Sequence, residues 1–277
     1  MRRFRRRSGL TLIELIISLV VTSIIGVAVT RMLTSQTRFF SKVSLGRDAR
    51  SVTRQARNLA LSDLSMVEVG GGIVAASNDS LTVRVPLAWG LFCASGTVML
   101  LPTDSLSFAS ATVDGFALKD TSSTGAYTYT AVTATATGTA TNCTGGSIQI
   151  TAPTGGTYKS ITPAPSGTQA SPIFLYQTVT YKFASSTMFS GFRGLWRKAS
   201  TGAYVEIVAP FDTSAKFRYY ELYSDTAQTT VPSPVSNISG VELKLDAKAP
   251  NVTPGQGSLR ESTSIKTAIF FRNRTDG

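Results

Sequence analysis

Histidine is absent from all 277 residues. That removes imidazole general bases, His-based triads and the common zinc sites together. Only 16% of the chain is charged, and there are two cysteines, Cys93 and Cys143. No Gly-rich phosphate loop, nucleophile elbow or EF-hand spacing occurs, so the expectation is a protein that is not an enzyme, with no catalytic residue, no metal ligand and no cofactor. Asp212, Glu221, Asp225 and Asp246 read as solvated carboxylates at strand ends and turns. The apolar stretch near the start is followed by no A-x-A-like cleavage site, so it is not a removable secretory signal.

What is present is concentrated at the N-terminus. Arg2, Arg3, Arg5, Arg6 and Arg7 precede Ser8-Gly9, and an apolar run extends from Leu10 to Val29. The run is long enough to cross a bilayer, and the arginines hold its start in the cytoplasm. Glu14 sits inside it, although a carboxylate at the centre of a membrane costs on the order of 2.5–3.5 kcal/mol and is by default functional. Removing the five arginines lowers the formal charge from +11 to +6. Much of the remainder is Arg31, Arg38, Lys42, Arg47, Arg50, Arg54 and Arg57, against Asp48 and Asp63 alone in that stretch. This pattern reads as a solvated helix face, with anionic lipid or nucleic acid as alternative partners.

Basic leader, Gly9, hydrophobic Leu10 and Glu14 five residues after the glycine together resemble the type IV prepilin signature. The resemblance implies cleavage by a prepilin peptidase between Gly9 and Leu10 and N-methylation of Leu10, where most members of the family have Phe. It also implies that Glu14 neutralises the terminal ammonium of a neighbouring subunit during assembly. A free α-amine titrates near pH 7.7–8 and stays largely cationic, so the pairing is physically sound. A simple signal anchor with Glu14 at the interface is the blander alternative.

Beyond Thr30, apolar residues at Phe39, Val43, Val52, Ala56, Leu59, Ala60, Leu64 and Val67 predict a continuing helix with one buried stripe, ended by Gly70-Gly71-Gly72. A helix from Leu10 to Val67 would be roughly 85 Å long. After the glycines, strand-like runs over 80–85, 98–101, 147–151, 178–183, 195–198, 204–208, 217–222, 241–245 and 266–272 predict an antiparallel sheet. The fold expected is α+β and pilin-like: a long N-terminal helix, membrane-spanning in its first half, packed on an antiparallel β-sheet head. The divisions expected are a leader at 1–9, a transmembrane or fibre-core helix at 10–30, an amphipathic stem at 31–69 and a β-rich head at 70–277. Residues 120–170, rich in Thr, Ala, Ser and Gly, read as a surface insertion of weak strands or loop. In an exported head the even cysteine count predicts a Cys93–Cys143 disulfide, worth about 4 kcal/mol at most in the chain-entropy model.

The C-terminal order Gly194-Leu195-Trp196-Arg197-Lys198, Glu206-Ile207-Val208, Phe217-Arg218-Tyr219-Tyr220, Ser239 to Leu245 and Phe270-Phe271-Arg272-Asn273 is similar to W-type minor pilins and J-type minor pseudopilins of type II secretion. Residues 90–170 lie outside that likeness. It implies a minor pilin or pseudopilin that initiates or caps a type IV pilus or type II secretion pseudopilus. The protein would sit in the inner membrane with a periplasmic head, then in the fibre. Its partners would be other pilin subunits, a prepilin peptidase and the inner-membrane assembly platform. The alternative is a tip adhesin or DNA-uptake minor pilin, resting on the basic stem and on Lys182, Arg193, Arg197 and Lys198.

Overall fold

A computed structural model describes residues 11–68, 70–93, 97–100, 112–119, 127–139, 142, 151, 157–252, 255 and 257–271. One long helix, α1 (Leu12–Leu64), precedes an antiparallel sheet, so the architecture is α+β and pilin-like. The chain divides into two compact units, Met1–Asp48 with Ala249–Glu261, and Ala49–Lys248 with Ser262–Gly277.

In the first unit α1 carries its apolar residues outward. Leu12 is 80% exposed, Ile24 65% and Leu33 58%. The hydroxyls of Ser18, Ser23, Thr30, Thr34 and Thr37 donate back to carbonyls three or four residues earlier. Such back-bonding satisfies polar groups within the helix and suits a solvent that offers no hydrogen bonds. Gly255, at φ +78°, lies against the Arg38 guanidinium, where a Cβ would come within 2.7 Å of Cζ.

The second unit contains the sheet. Its spine is the pair β2 (Ser80–Cys93) and β8 (Pro172–Ser185), in register from Ser80↔Lys182 to Leu91↔Pro172. Leu81, Val83 and Val85 are buried at odd positions and Ala88 and Phe92 at even ones. A bulge between Pro86 and Ala88 absorbs the change of phase and keeps these residues with the apolar face of β8. Proline has no N–H for the ladder, which makes Pro86 a natural site for the interruption. The expected strand at 80–85 therefore continues for eight further residues, to Cys93.

Around this spine lie β1 (Ile73–Ala76), β3 (Thr97–Leu100) and β4 (Gly115–Lys119). They are followed by β5 (Tyr127–Ala131), β6 (Ala134–Thr139) and β7 (Thr157–Thr162). After β8 come β9 (Arg193–Ala199), β10 (Val205–Phe211), β11 (Lys216–Glu221), β12 (Ile238–Lys248) and β13 (Ser262–Phe270). The main path runs β11-β12-β10-β9-β8-β2-β3-β7-β6, with β1 on β2, β13 on β12, and β4 bridging β5 and β8. Most of the Thr-Ala repeat is strand: Ala134–Thr139 pairs antiparallel with Thr157–Thr162. Ile161 is buried and Tyr127 packs on Phe174, so this stretch contributes more to the core than its composition predicts. Of the expected strand at 147–151, only residue 151 is described.

Ala49, Ala56, Ala60 and Leu64 of α1, with Val67, enter one cluster with Leu81, Val83, Val179, Tyr181, Leu195, Phe217, Val241 and Leu243. Three alanines let the helix backbone approach the sheet closely. Leu59 is 44% exposed and Phe39 63%, so both leave the expected stripe, which Ala49 and Thr53 join instead. The helix ends before the glycines: the Met66 and Val67 amides bond to Asp63 and Leu64 in a tightened last turn. Gly71, at φ +117°, then passes the Tyr129 ring where a Cβ would be 2.6 Å from Cε2.

One polar network crosses this helix–sheet contact. The Tyr181 hydroxyl donates to Asp63 Oδ2 at 2.6 Å, and Arg197 Nε and Nη2 each reach the same oxygen at 3.0 Å. Burial, then the Asp63 charge, raises the Tyr181 pKa well above its ordinary value. Burial disfavours the Arg197 cation, but Asp63 and the Tyr181 hydroxyl outweigh it and raise its pKa. Tyr181→Phe is expected to destabilise the detergent-solubilised chain by about 1–2 kcal/mol in urea denaturation. Because the folded pKa is raised, the Tyr181 contribution is complete below its unfolded value of about 10 and is lost as pH rises past it. The unaltered chain should thus lose stability above that pH more steeply than the variant, and parallel pH profiles would contradict the assignment.

Candidate functional site

Gly9 and Leu10 lie outside the described residues, which begin at Thr11. Glu14 is in the first turn of α1 and exposed. Its Oε2 accepts from the Thr11 amide and the Thr11 hydroxyl, both at 3.3 Å, while the Glu14 amide donates to Thr11 Oγ1 at 3.4 Å. This reciprocal pattern is a capping box, and its Thr-x-x-Glu signature stands in the sequence as Thr11-Leu12-Ile13-Glu14. Two donors at the start of the helix are thereby satisfied, and a carboxylate at a helix N-terminus is also favoured by the helix dipole. Glu14 is therefore held locally before any partner arrives, which sequence reading based on charge alone missed.

From Leu12 the helix is long and apolar enough to cross a membrane, and none of its most apolar window is buried within the chain. The family model for the prokaryotic N-terminal methylation motif matches residues 4–30. At its N-terminus the chain is type IV prepilin-like. The described part of the matched segment, residues 11–30, is exposed throughout, and the exposed stretch of the helix continues to Phe40. Neither a curated protein nor a solved structure matches the chain.

The remaining sequence candidates fall elsewhere in this prepilin-like chain. Cys93 closes β2 and is in a disulfide, while Cys143 lies outside the described residues. Arg193 is bonded to Asp79 at 2.7 Å and to the Phe183 and Ala215 carbonyls, and Arg197 is engaged by Asp63. Lys182 stands over the Tyr204 ring at 3.8 Å and Lys198 over the same ring at 5.6 Å. These four do not form an open basic patch, because both arginines are consumed inside the head.

Asp246 accepts from Ser214 at 2.7 Å and pairs with Lys244 at 2.9 Å, and Asp212 lies 3.7 Å from Lys248. Burial would raise the Asp246 pKa, but hydrogen bonds from Ser264, Ser214 and Lys244 outweigh it and hold the carboxyl below its usual range. Among the described residues no group of three or more Cys, Asp or Glu side chains is placed to hold a metal ion.

Non-reducing peptide mapping of the exported chain is expected to give one cross-linked peptide joining Cys93 and Cys143. Two alkylated thiols in protein purified without reductant would contradict that pairing.

Proposed function

We propose that the chain is a minor pilin or pseudopilin, a non-catalytic subunit that helps to start or cap a type IV pilus or type II secretion pseudopilus. The observation that carries this reading is the overlap of the methylation motif at residues 4–30 with a helix whose apolar side chains from Leu12 to Phe40 are exposed among the described residues. An apolar helix of this length needs lipid or other helices around it, and a fibre core supplies the second after a membrane has supplied the first. The W-type and J-type likeness supports a minor component. Its quoted segments fall on β9 through β13, with Arg272 and Asn273 beyond the described residues. Partners on this reading are other pilin subunits, a prepilin peptidase and an inner-membrane assembly platform, with the head on the periplasmic side. The DNA-uptake alternative loses two of its four head residues to internal ion pairs.

Glu14 has two tasks on this account, closing the helix cap and pairing with a neighbour's ammonium, and two substitutions separate them. Thr11→Ala removes the hydroxyl of the cap and keeps the carboxylate, so it is expected to weaken the first turn by about 1 kcal/mol and leave incorporation near normal. Glu14→Leu should preserve membrane insertion but reduce co-purification with other fibre subunits, because the ammonium would then be buried unpaired. Equal incorporation of Glu14→Leu and the unaltered chain would reduce this helix to a simple anchor.

A further inference from the structure

Within the head unit, α1 places Arg50, Arg54 and Arg57 at steps of four and three, which puts them along one edge of the helix. All three are exposed, and their side chains have no ion-pair or hydrogen-bond partner among the described residues. This contrasts with Arg193, Arg197, Arg218 and Lys244, which pair with Asp79, Asp63, Glu242 and Asp246. Asp63, the one carboxylate on this part of α1, is already taken by Arg197 and Tyr181. Beside the arginines, the outward residues Ser51, Gln55, Asn58 and Ser62 are uncharged and exposed. These four positions add no charge of their own to the edge.

We infer that this arginine edge is a docking strip for the acidic helical stem of a different subunit, one with carboxylates at matching steps of three and four. The inference rests on the reading of the chain as a fibre subunit and names the chemistry of its neighbour. The planar guanidinium fork suits carboxylates, which it can bind through two parallel N–H bonds. A second copy of this chain is a poor occupant. It would set three cations against three, and Asp48 and Asp63 are the only carboxylates its sequence offers between residues 31 and 67. Nucleic acid fits less well too: the three arginines span only about 10 Å of helix, and Arg193, Arg197 and Arg218 of the head are each paired internally with a carboxylate. Charge matching of this kind selects one partner over others more than it adds raw affinity. The strip would thus specify which subunit stands beside this one.

The test uses the full-length chain expressed with its fibre apparatus, carrying a benzophenone side chain in place of Asn58. The expected result is a cross-link to the stem peptide of another subunit in which acidic residues recur at three- or four-residue steps. Arg50→Glu with Arg54→Glu and Arg57→Glu should cut the cross-link about ten-fold without moving the thermal midpoint of the head. Lysines in place of the partner's carboxylates should restore it. Equal yield after charge reversal would overturn the inference, as would cross-linking mainly to a second copy, to nucleic acid or to lipid. Absence of the unaltered chain from purified fibres would remove the subunit reading and the strip together. A chain present in fibres whose cross-link ignores the reversal would remove the strip alone.

Discussion

The head depends on the packing of one face of α1, from Ala49 to Leu64, onto the sheet spine of β2 and β8. A two-faced sheet needs a cover for its apolar side, and here a single helix supplies it with small residues at close range and Leu64 at the end. Asp63, Tyr181 and Arg197 then fix the helix along its axis and about it, because the hydrogen bonds require one register between helix and strands. Buried polar groups stabilise only when they are satisfied, and in this network Asp63 accepts from both partners. The arginine edge and the uncharged outward residues follow from that orientation, since the buried face decides which positions remain outside.

The apolar run obeys the opposite rule. From Leu12 onward its side chains are bare, and burying each large aliphatic residue is worth roughly 1.5–3 kcal/mol. Nothing among the described residues recovers that free energy, so the surroundings must. The chemistry of the helix start is tuned to the same need: the Thr11–Glu14 box satisfies the first turn, and the hydroxyls further along bond back to their own backbone. A membrane and a bundle of like helices are both acceptable solvents for such a segment.

Much of this was legible in the residues, and the exceptions have physical causes. The helix-then-sheet order follows from the glycines and the change of period from 3.6 to 2. The continuation of β2 past Val85 was hidden because the bulge at Pro86 shifts the alternation by one residue. β4 was missed because Gly115–Lys119 is a short run buried at four successive positions, which alternation does not reveal. Ala49 and Thr53 escaped the predicted stripe because small residues contribute little to hydrophobic period, yet their smallness is what admits the sheet. At the candidate site, the position of Glu14 was plain, whereas its bond to Thr11 required reading Thr-x-x-Glu as a cap rather than Glu14 as a lone charge. That Arg193 and Arg197 are internally paired could not be read from sequence, since Asp79 and Asp63 lie more than a hundred residues away.

The central claim, that this chain is a processed subunit built to leave the membrane for a fibre, is tested most directly at its new N-terminus. Intact-mass and N-terminal peptide mass spectrometry of the chain extracted from membranes with an active prepilin peptidase should show a protein that begins at N-methylated Leu10. The leader arginines and Gly9 should be gone. A chain still beginning at Met1, or one cut on the far side of the apolar run, would contradict the account.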